Sequence, residues 1–158
     1  MTQTAEATPA TDADIALFST TATWQGKCRT DVKARDFDIP VSEPEELGGD
    51  DSAPNPMEVL LAGLDGCLAV VIETVAAEWE AEVKSVEFTT EGSLDTCGFL
   101  GTAEVNPYFQ HVYTRVDIDT NIPADQFDEF TATVLRRCPA ATLIIAADVD
   151  FKLEWQRV

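Results

Sequence analysis

Basic residues are scarce in this sequence of 158 residues. It has 10 Lys and Arg against 29 Asp and Glu, so its formal net charge is −19. A field of this sign repels phosphate backbones and anionic membrane surfaces, and so few cations cannot form an extended basic patch. We therefore expect neither a nucleic-acid partner nor a membrane partner.

Several signatures of catalytic and metal sites are also missing. The cysteines, Cys28, Cys67, Cys97 and Cys138, form no CxxC pair, and the only histidine, His111, lies in a predicted strand. We therefore expect no metal. Because the sequence has no GxSxG, no GxGxxG after a strand and no P-loop, neither a serine hydrolase nor a nucleotide-binding protein is indicated.

Long apolar segments and a signal peptide are absent as well. The longest nearly apolar stretch, residues 59–72, is interrupted by Asp65 and is shorter than the roughly 20 residues of a membrane span. Residues 1–18 have neither the basic nor the apolar region of a signal peptide. We expect them to form a flexible acidic tail before a single domain over residues 19–158, in a cytoplasm that keeps the cysteines reduced.

The surplus of carboxylates is typical of proteins that work in molar salt. Screening at high ionic strength removes the self-repulsion of like charges. We therefore expect a salt-loving host. The ordinary alternative is an acidic protein whose charges form a solvated surface.

Hydrophobic periodicity predicts an α+β fold with the element order ββ-α-ββ-α-β. Residues 42–56 are dense in Pro, Gly and Asp and are predicted to form a loop. The predicted strands cover residues 21–24, 31–41, 83–94, 111–119 and 149–155. One helix is predicted from Pro56 to about Ala81, a second from near Pro123 to Cys138, and a short apolar helix over residues 140–146.

The first predicted helix is apolar around much of its circumference. A helix of this kind is buried on two sides. Because a chain of 158 residues has little material to cover both sides, a partner subunit is the expected source of the second. The sequence therefore predicts a homodimer.

Cys138 occupies a position where a thiol can react. Helix N-termini and neighbouring cations stabilise thiolates. Cys138 precedes Pro139 and follows Arg136 and Arg137, so a kink at the proline would place the thiol at the start of the next helix. The ordinary interpretation is a small apolar residue that ends a core face.

Cys67 lies in the middle of the first predicted helix. Periodicity places it on the same face as Leu60, Gly63, Leu64 and Val71, which by itself indicates a core residue. Position alone therefore does not decide whether Cys67 is reactive or structural. The other two cysteines lie at a strand start and in a turn and are expected to be incidental.

Three separated segments together resemble the OsmC/Ohr family of osmotically induced proteins and organic hydroperoxide resistance proteins. They are Glu-Pro-Glu-Glu-Leu-Gly-Gly at residues 43–49, Asn-Pro at residues 55–56 followed by Cys67 twelve residues after the Asn, and Arg-Cys-Pro at residues 137–139. The resemblance extends over about residues 20–158, and the element order matches. The combination is specific, whereas each segment alone is weak.

The resemblance implies an α+β fold in which antiparallel sheets wrap around long central helices in an intertwined homodimer. It also implies thiol peroxidase chemistry without a bound cofactor or metal. Cys67 would attack an organic hydroperoxide to give a sulfenic acid, and Cys138 would resolve it as a disulfide. An external dithiol, such as a lipoylated protein, would then reduce the disulfide.

The sequence departs from the family's peroxidases at the residues that activate the thiol. Those proteins have a Glu directly after Asn-Pro, whereas this chain has Met57 there and Glu58 next. Nine residues separate Glu58 from Cys67, which corresponds to about 900° and so to opposite sides of a continuous helix. This departure favours the alternative function of a non-peroxidase OsmC-like dimer that binds a small apolar ligand or has a structural role under stress.

The cation that pairs with this Glu in the family has three candidates here. Lys27, Arg29 and Arg35 all lie in the region of the first predicted hairpin. We take Arg29 and Glu58, with Cys67 and Cys138, as the candidate catalytic residues.

Overall fold

A computed structural model describes residues 14–158; the predicted tail lies for the most part outside these residues. The chain divides into two compact units, a first unit up to Pro56 and a second unit from Met57 onward. The α+β class is confirmed. The strands are β1 (Thr21–Gly26), β2 (Arg29–Ala34), β3 (Phe37–Val41), β4 (Val83–Leu94), β5 (Phe109–Thr120) and β6 (Asp150–Arg157), and the helices are α1 (Pro56–Glu78), α2 (Thr96–Leu100), α3 (Phe127–Arg137) and α4 (Pro139–Ala146).

The first unit contains an antiparallel sheet in the order β1-β2-β3. Two residues, Lys27 and Cys28, connect β1 to β2, and both have positive φ angles, 47° and 62°. Such a turn matches the right-handed twist of a hairpin. The single strand predicted over residues 31–41 is in fact two strands. The sequence pattern missed the turn because Arg35, with a φ of 57°, is an uncommon residue for this conformation.

A loop of residues 42–54 follows β3, as predicted. The backbone N–H of Ser42 donates to the carbonyl of Pro54 at 3.1 Å, which closes the loop at its base. Gly48 has a φ of 86°, and a Cβ on Gly49 would lie 1.7 Å from the backbone oxygen of Glu43. Only glycine fits either position without strain, which is the physical reason for the Gly-Gly pair.

The second unit contains a sheet in the order β4-β5-β6. β4 and β5 are antiparallel, whereas β5 and β6 are parallel, with Val116 opposite Trp155. The expected antiparallel arrangement therefore does not extend to β6. The connection between the strands explains this. Two helices, α3 and α4, lie between β5 and β6, and a crossover of this length brings the chain back to the end of the sheet where β5 begins, so that β6 runs parallel to β5.

The hydrophobic core lies in the second unit. Phe130 is fully buried at its centre, with ring centroids 5.7 Å from Trp79, 6.3 Å from Phe127 and 6.5 Å from Trp155. The buried hydrophobic residues come from α1, β5, α3, α4, the β5–α3 connection and the junction between α3 and α4. They are Leu64, Leu68, Ile72, Val75, Ala76, Phe109, Val112, Val116, Ile118, Ile122, Phe130, Val134, Cys138 and Ala141.

Helix α1 packs one stripe against this core and leaves another open. Leu64, Leu68 and Ile72 are buried at helical spacing, whereas Leu60 is 49% and Val70 64% exposed. By length and composition the 23-residue helix could cross a membrane, although core helices of soluble proteins pass the same test. Helix α1 extends beyond the apolar stretch of residues 59–72 because Val75 and Ala76 continue its buried face.

Candidate functional site

The second unit brings together two of the sequence-predicted site residues. Cys67 lies on α1 and Cys138 lies between α3 and α4, yet their Sγ atoms are 3.4 Å apart. The Cys138 thiol donates a hydrogen bond to the Cys67 sulfur. All four cysteines are free thiols. Residues 71 positions apart in the sequence thus form one contact that a thiol reaction can use.

Cys138 ends one helix and begins the next. Its backbone is extended, with φ −80° and ψ 111°, and Pro139 is the first residue of α4. The kink predicted from the proline is therefore confirmed. A proline fits this position because the first helical residue has no intrahelical acceptor for an N–H.

Burial dominates the electrostatics of Cys138. Burial raises the pKa of its thiol to about 11; the hydrogen bond to Cys67 and the charge of Cys67 act in the same direction. Hydrogen bonds from the N–H groups of Ala141 and Ala140 at the start of α4 lower the pKa, but by less. The helix N-terminus therefore does not produce a thiolate here. Cys138 is a neutral hydrogen-bond donor at neutral pH.

Cys67 lies at the edge of the core. It packs against the core together with Val71, and its helix neighbour Leu64 is fully buried. Leu60 and Gly63, which periodicity placed on the same face, are exposed. Cys67 is therefore only partly buried, whereas the Cys138 side chain is inaccessible. A reagent from solvent meets Cys67 first.

An ion pair joins the C-terminal ends of α1 and α3. The guanidinium of Arg137 donates to both carboxylate oxygens of Glu78, at 2.6 and 2.9 Å. The pKa of Glu78 is lowered by this hydrogen bonding. Because Arg137 directly precedes Cys138, the pair ties the end of α1 to the chain that carries the second thiol. Sequence reasoning did not identify this pair, since the two residues are 59 positions apart.

A polar contact fixes α1 against the sheet close to Cys67. The hydroxyl of Thr90 on β4 donates to the carboxylate of Asp65 at 2.5 Å, and the Thr90 and Thr114 hydroxyls are 2.9 Å apart. Thr114 on β5 is fully buried. Burial raises the pKa of Asp65, and the Thr90 hydrogen bond partly offsets the rise. The signal in the sequence was the interruption of an apolar stretch by Asp65.

Arg29 lies on β2 in the first unit, where two side chains hold its guanidinium. Nη1 donates to Oγ of Ser52 at 2.6 Å, and Nη2 donates to Oδ1 of Asp31 at 3.1 Å. The side chain of Arg29 is 31% exposed. The guanidinium is therefore held in place by the loop and by its own strand.

The two other candidate cations have different surroundings. Lys27 lies in the β1–β2 turn. Arg35 lies in the β2–β3 turn, with its guanidinium carbon 5.0 Å from the centroid of the Phe37 ring. Of the three candidates, Arg29 is the one bonded to the 42–54 loop.

Asp50 organises the loop that contacts Arg29. Its Oδ1 accepts hydrogen bonds from Oγ of Ser42 at 2.7 Å, from Oγ of Ser52 at 2.5 Å and from the backbone N–H of Ser52 at 3.2 Å. The hydrogen bonds from Ser52 and then Ser42, with the charge of Arg29, lower the pKa of Asp50 to about 2 against the effect of burial. The sequence pattern indicated a loop from its Pro, Gly and Asp content but could not single out Asp50, because the hydrogen bonds from Ser42 and Ser52 depend on the folded loop.

Glu58 is exposed in the first turn of α1, and Met57 packs against the core. The helix begins at Pro56 and runs without a break through Cys67. Nine residues correspond to about 13 Å along the axis and to the opposite side of the helix. Within one protomer, the structure does not bring Glu58 to Cys67.

The described residues show no cluster suited to a metal ion. Across residues 14–158, no three His, Cys, Asp or Glu side chains form such a group. The only histidine, His111, pairs with Asp150 through its Nδ1 at 2.9 Å on the exposed rim of β5 and β6.

Comparisons with known proteins support this geometry at the level of fold. A family model described as OsmC-like protein matches residues 49–154. Solved structures that this chain resembles include an OsmC-like protein from Mycoplasma pneumoniae (TM-score 0.77, 19% identity, covering 90% of this chain and 98% of that one). An organic hydroperoxide resistance protein OsmC from Legionella pneumophila is 26% identical (TM-score 0.66, 90% and 99%), and OhrB of Bacillus subtilis is 20% identical (TM-score 0.60, 89% and 98%). Comparison with curated proteins finds no match.

Proposed function

Because the chain belongs to the family of OsmC-like proteins, we propose that it is a cysteine-dependent peroxidase that reduces organic hydroperoxides. The observation that carries the proposal is the Cys67–Cys138 contact at 3.4 Å between an accessible and a buried sulfur. The names of the similar proteins from Legionella pneumophila and Bacillus subtilis, as organic hydroperoxide resistance proteins, support it.

The proposed reaction has two steps on the protein. In the first, the Cys67 thiolate attacks the distal oxygen of ROOH; the O–O bond breaks, the sulfur becomes a sulfenic acid, and the alkoxide leaves as ROH after taking a proton. In the second, the Cys138 sulfur displaces the hydroxyl of the sulfenic acid, which leaves as water, and a Cys67–Cys138 disulfide forms. The order follows from access, since only Cys67 meets solvent.

An external dithiol completes the cycle in this proposal. It reduces the disulfide by exchange and is itself oxidised to a disulfide. A lipoylated protein is a reductant of suitable chemistry. We propose that the protein works in the cytoplasm, where a reducing pool would keep the resting cysteines as thiols.

The substrate is proposed to be organic rather than hydrogen peroxide. Cys67 is flanked by apolar residues of α1, including Leu64, Leu68 and Val71, which face or border the core. An alkyl tail gains about 0.8 kcal/mol for each methylene that it buries. Hydrogen peroxide gains nothing from such surroundings.

The active form is proposed to be a homodimer. The open stripe of α1 includes Leu60 and Val70, which are 49% and 64% exposed, and apolar side chains of this kind become buried when a partner subunit packs on the helix. Val70→Glu should give a species of the monomer mass, 17.2 kDa, by light scattering, whereas the wild type gives twice that mass. Val105→Glu, at another exposed valine, serves as the control. A monomeric wild type would contradict the proposal.

Oxidation by cumene hydroperoxide tests the function. One equivalent should remove two thiols per chain, and mass spectrometry should locate the disulfide at Cys67–Cys138. Cys67→Ser should abolish turnover with dithiol present. Cys138→Ser should allow one turnover and leave Cys67 as a sulfenic acid or mixed disulfide, whereas Cys28→Ser and Cys97→Ser should turn over like the wild type.

A second function is favoured by one observation. Met57 packs against the core at the position where the family's peroxidases carry Glu. An OsmC-like dimer that binds a small apolar ligand, or that has a structural role under stress, would need no Glu there. If the wild type consumes no hydroperoxide with any dithiol, this second function replaces the first.

A further inference from the structure

Cys138 lies at a point where the chain leaves regular secondary structure. It occupies the junction between α3 and α4 with an extended backbone, whereas Cys67 lies in the middle of the continuous helix α1. Val134 and Ala141, about one turn to either side of the junction, are fully buried in the core that α1 also enters. Apolar packing of this kind has no preferred direction. The separation of the two sulfurs therefore depends on what fixes the junction along α1.

A directional contact joins the residue next to Cys138 to that helix. The guanidinium of Arg137 donates to both carboxylate oxygens of Glu78, at 2.6 and 2.9 Å, and a fork of this kind sets orientation as well as distance. Glu78 lies eleven residues after Cys67, about 16 Å farther along the axis of α1. The sulfur contact and the ion pair therefore hold the junction at two separate points on one helix, which restricts its rotation as well as its sliding.

The second step of the proposed reaction depends on position more than on charge. Burial raises the pKa of the Cys138 thiol to about 11, so the attacking sulfur is almost entirely protonated at neutral pH. A thiol is a far weaker nucleophile than a thiolate. Because the sulfur is not activated by charge, the step gains from the constant presence of that sulfur beside its target, which raises the effective concentration of the reacting groups.

We propose that Glu78 and Arg137 are positioning residues: their ion pair holds the α3–α4 junction against α1 so that the Cys138 sulfur stays within reach of the Cys67 sulfenic acid. This inference rests on the proposed function and concerns its second step. In that step the S–S bond forms, the S–O bond of the sulfenic acid breaks, and the hydroxide leaves as water with the proton of the Cys138 thiol.

The test is the competition between disulfide formation and capture of the sulfenic acid by dimedone, in a Cys28→Ser, Cys97→Ser background. After one equivalent of cumene hydroperoxide at a fixed dimedone concentration, mass spectrometry gives the ratio of dimedone adduct at Cys67 to disulfide. This ratio does not depend on how fast the sulfenic acid forms. Glu78→Gln and Arg137→Gln should each raise it by about two- to fivefold, a modest effect because both side chains are about half exposed to screening solvent.

The direction of the change separates positioning from simple charge. If charge alone acted, Glu78→Gln would favour the Cys138 thiolate and lower the ratio, whereas Arg137→Gln would raise it. Positioning raises the ratio in both variants. Arg136→Gln is the matched control, because it removes the same charge one residue earlier, from an arginine that bonds to Thr133 within its own helix. A ratio for Glu78→Gln at or below the wild-type value, or an increase for Arg136→Gln as large as that for Arg137→Gln, would overturn the proposal.

A double variant shows whether the two residues act as one pair. Because either single change already breaks the ion pair, Glu78→Gln combined with Arg137→Gln should raise the ratio no more than the larger single change does. Increases that multiply would overturn the proposal. Neither side chain belongs to the core, so all three variants should fold as the wild type does, which circular dichroism checks.

The positioning role and the proposed function fail in different ways. A ratio that neither single variant changes, with wild-type hydroperoxide consumption intact, overturns the positioning role alone. If the wild type consumes no hydroperoxide, glutathione disulfide serves as the oxidant, since the protein disulfide forms as glutathione disulfide is reduced to two thiols. Glu78→Gln and Arg137→Gln should then lower the equilibrium constant for the protein disulfide by about two- to fivefold. Constants equal to that of the wild type would overturn the positioning role in a protein that is not a peroxidase.

Discussion

The two units of this chain are stabilised by different means. The second unit, from Met57 onward, contains all of the buried hydrophobic residues among residues 14–158. In the described part of the first unit, Ser42 is the one residue that is fully buried, and Trp24 and Phe37 are 73% and 60% exposed. The first unit is defined by hairpin turns and by hydrogen bonds of its loop, the second by apolar packing.

The candidate site residues of the two units are therefore held in position by different interactions. The cysteine pair lies in the unit whose geometry is held by close packing, where a displacement of either sulfur costs core contacts. The candidate cation lies in the unit whose geometry is held by a few directional hydrogen bonds. We therefore expect the thiol contact to tolerate surface substitution outside the Glu78–Arg137 pair, and the position of Arg29 to respond to the loss of single polar atoms.

The largest effect is expected from a matched pair of phenylalanine truncations. Phe130→Ala in the second unit should lower the free energy of unfolding by about 3–5 kcal/mol, because it leaves a cavity among aromatic rings. Phe37→Ala in the first unit should cost about 1 kcal/mol or less, the scale of its stacking under Arg35. Denaturant unfolding of both variants, with equal m-values, measures the difference. Equal losses for both would mean that Phe37 is buried in the assembled protein and would remove the contrast.

The second effect is a loss of stability in alkali that belongs to the second unit. The pKa of Cys138 is raised from 9.0 to about 11 by burial, so below pH 9 the thiol is neutral in the folded and in the unfolded chain. Between pH 9 and 11 only the unfolded chain ionises, and stability falls by about 2 kcal/mol as the pH rises. The difference between wild type and Cys138→Ala in urea unfolding from pH 8 to 11 should show this slope. Parallel curves would contradict it.

The first unit is expected to lose stability at acid pH. The pKa of Asp50 is lowered from 3.8 to about 2, mainly by the Ser52 and Ser42 hydrogen bonds. Its contribution is fully present above pH 4 and is lost as the pH falls towards 2, because the unfolded chain takes up the proton first. In Asp50→Asn, the free energy of unfolding should therefore fall less steeply as the pH drops from 4 to 2 than it does in the wild type. Asp51→Asn should show the wild-type slope.

The smallest effect concerns the whole surface rather than either unit. The net charge of −19 repels itself, and the Debye length falls to about 3 Å at 1 M salt. The melting temperature should rise by a few degrees between 0.1 and 2 M KCl. A melting temperature that does not change would remove the prediction of a salt-loving host.

The sequence predicted most elements of the second unit because their periodicities are strong, but it missed α2 (Thr96–Leu100), where Cys97-Gly98 indicated only a turn and five residues are too few to show a helical period. The strand at residues 83–94 has the predicted bounds, α1 begins at Pro56 as predicted, and the proline at 139 separates two helices. Cys67 and Cys138 were identified as candidates from the segments that surround them. The structure places their Sγ atoms 3.4 Å apart. These local patterns predict the structure correctly because the residues that form them pack against a core in the same unit.

Other features depend on contacts that no local pattern contains. The turn at Arg35 lies within a continuous alternation, so one predicted strand became two. The parallel pairing of β6 depends on where α4 returns the chain. The Ser42–Asp50, Thr90–Asp65 and Arg137–Glu78 contacts join residues 8 to 59 positions apart, and the sequence shows only that polar residues are present.

The place of β6 in the fold has a consequence for biosynthesis. Trp155 on β6 contributes to the aromatic cluster around Phe130, and β6 follows every other element in chain order. On the ribosome the first unit emerges early, but its described residues, 14–56, include no buried hydrophobic side chain, and the core of the second unit is incomplete until β6 is made. Domains generally fold in the order of their synthesis. We nevertheless expect this chain to reach its native packing only after translation has passed Trp155. The contact between Cys67 and Cys138 would therefore form late.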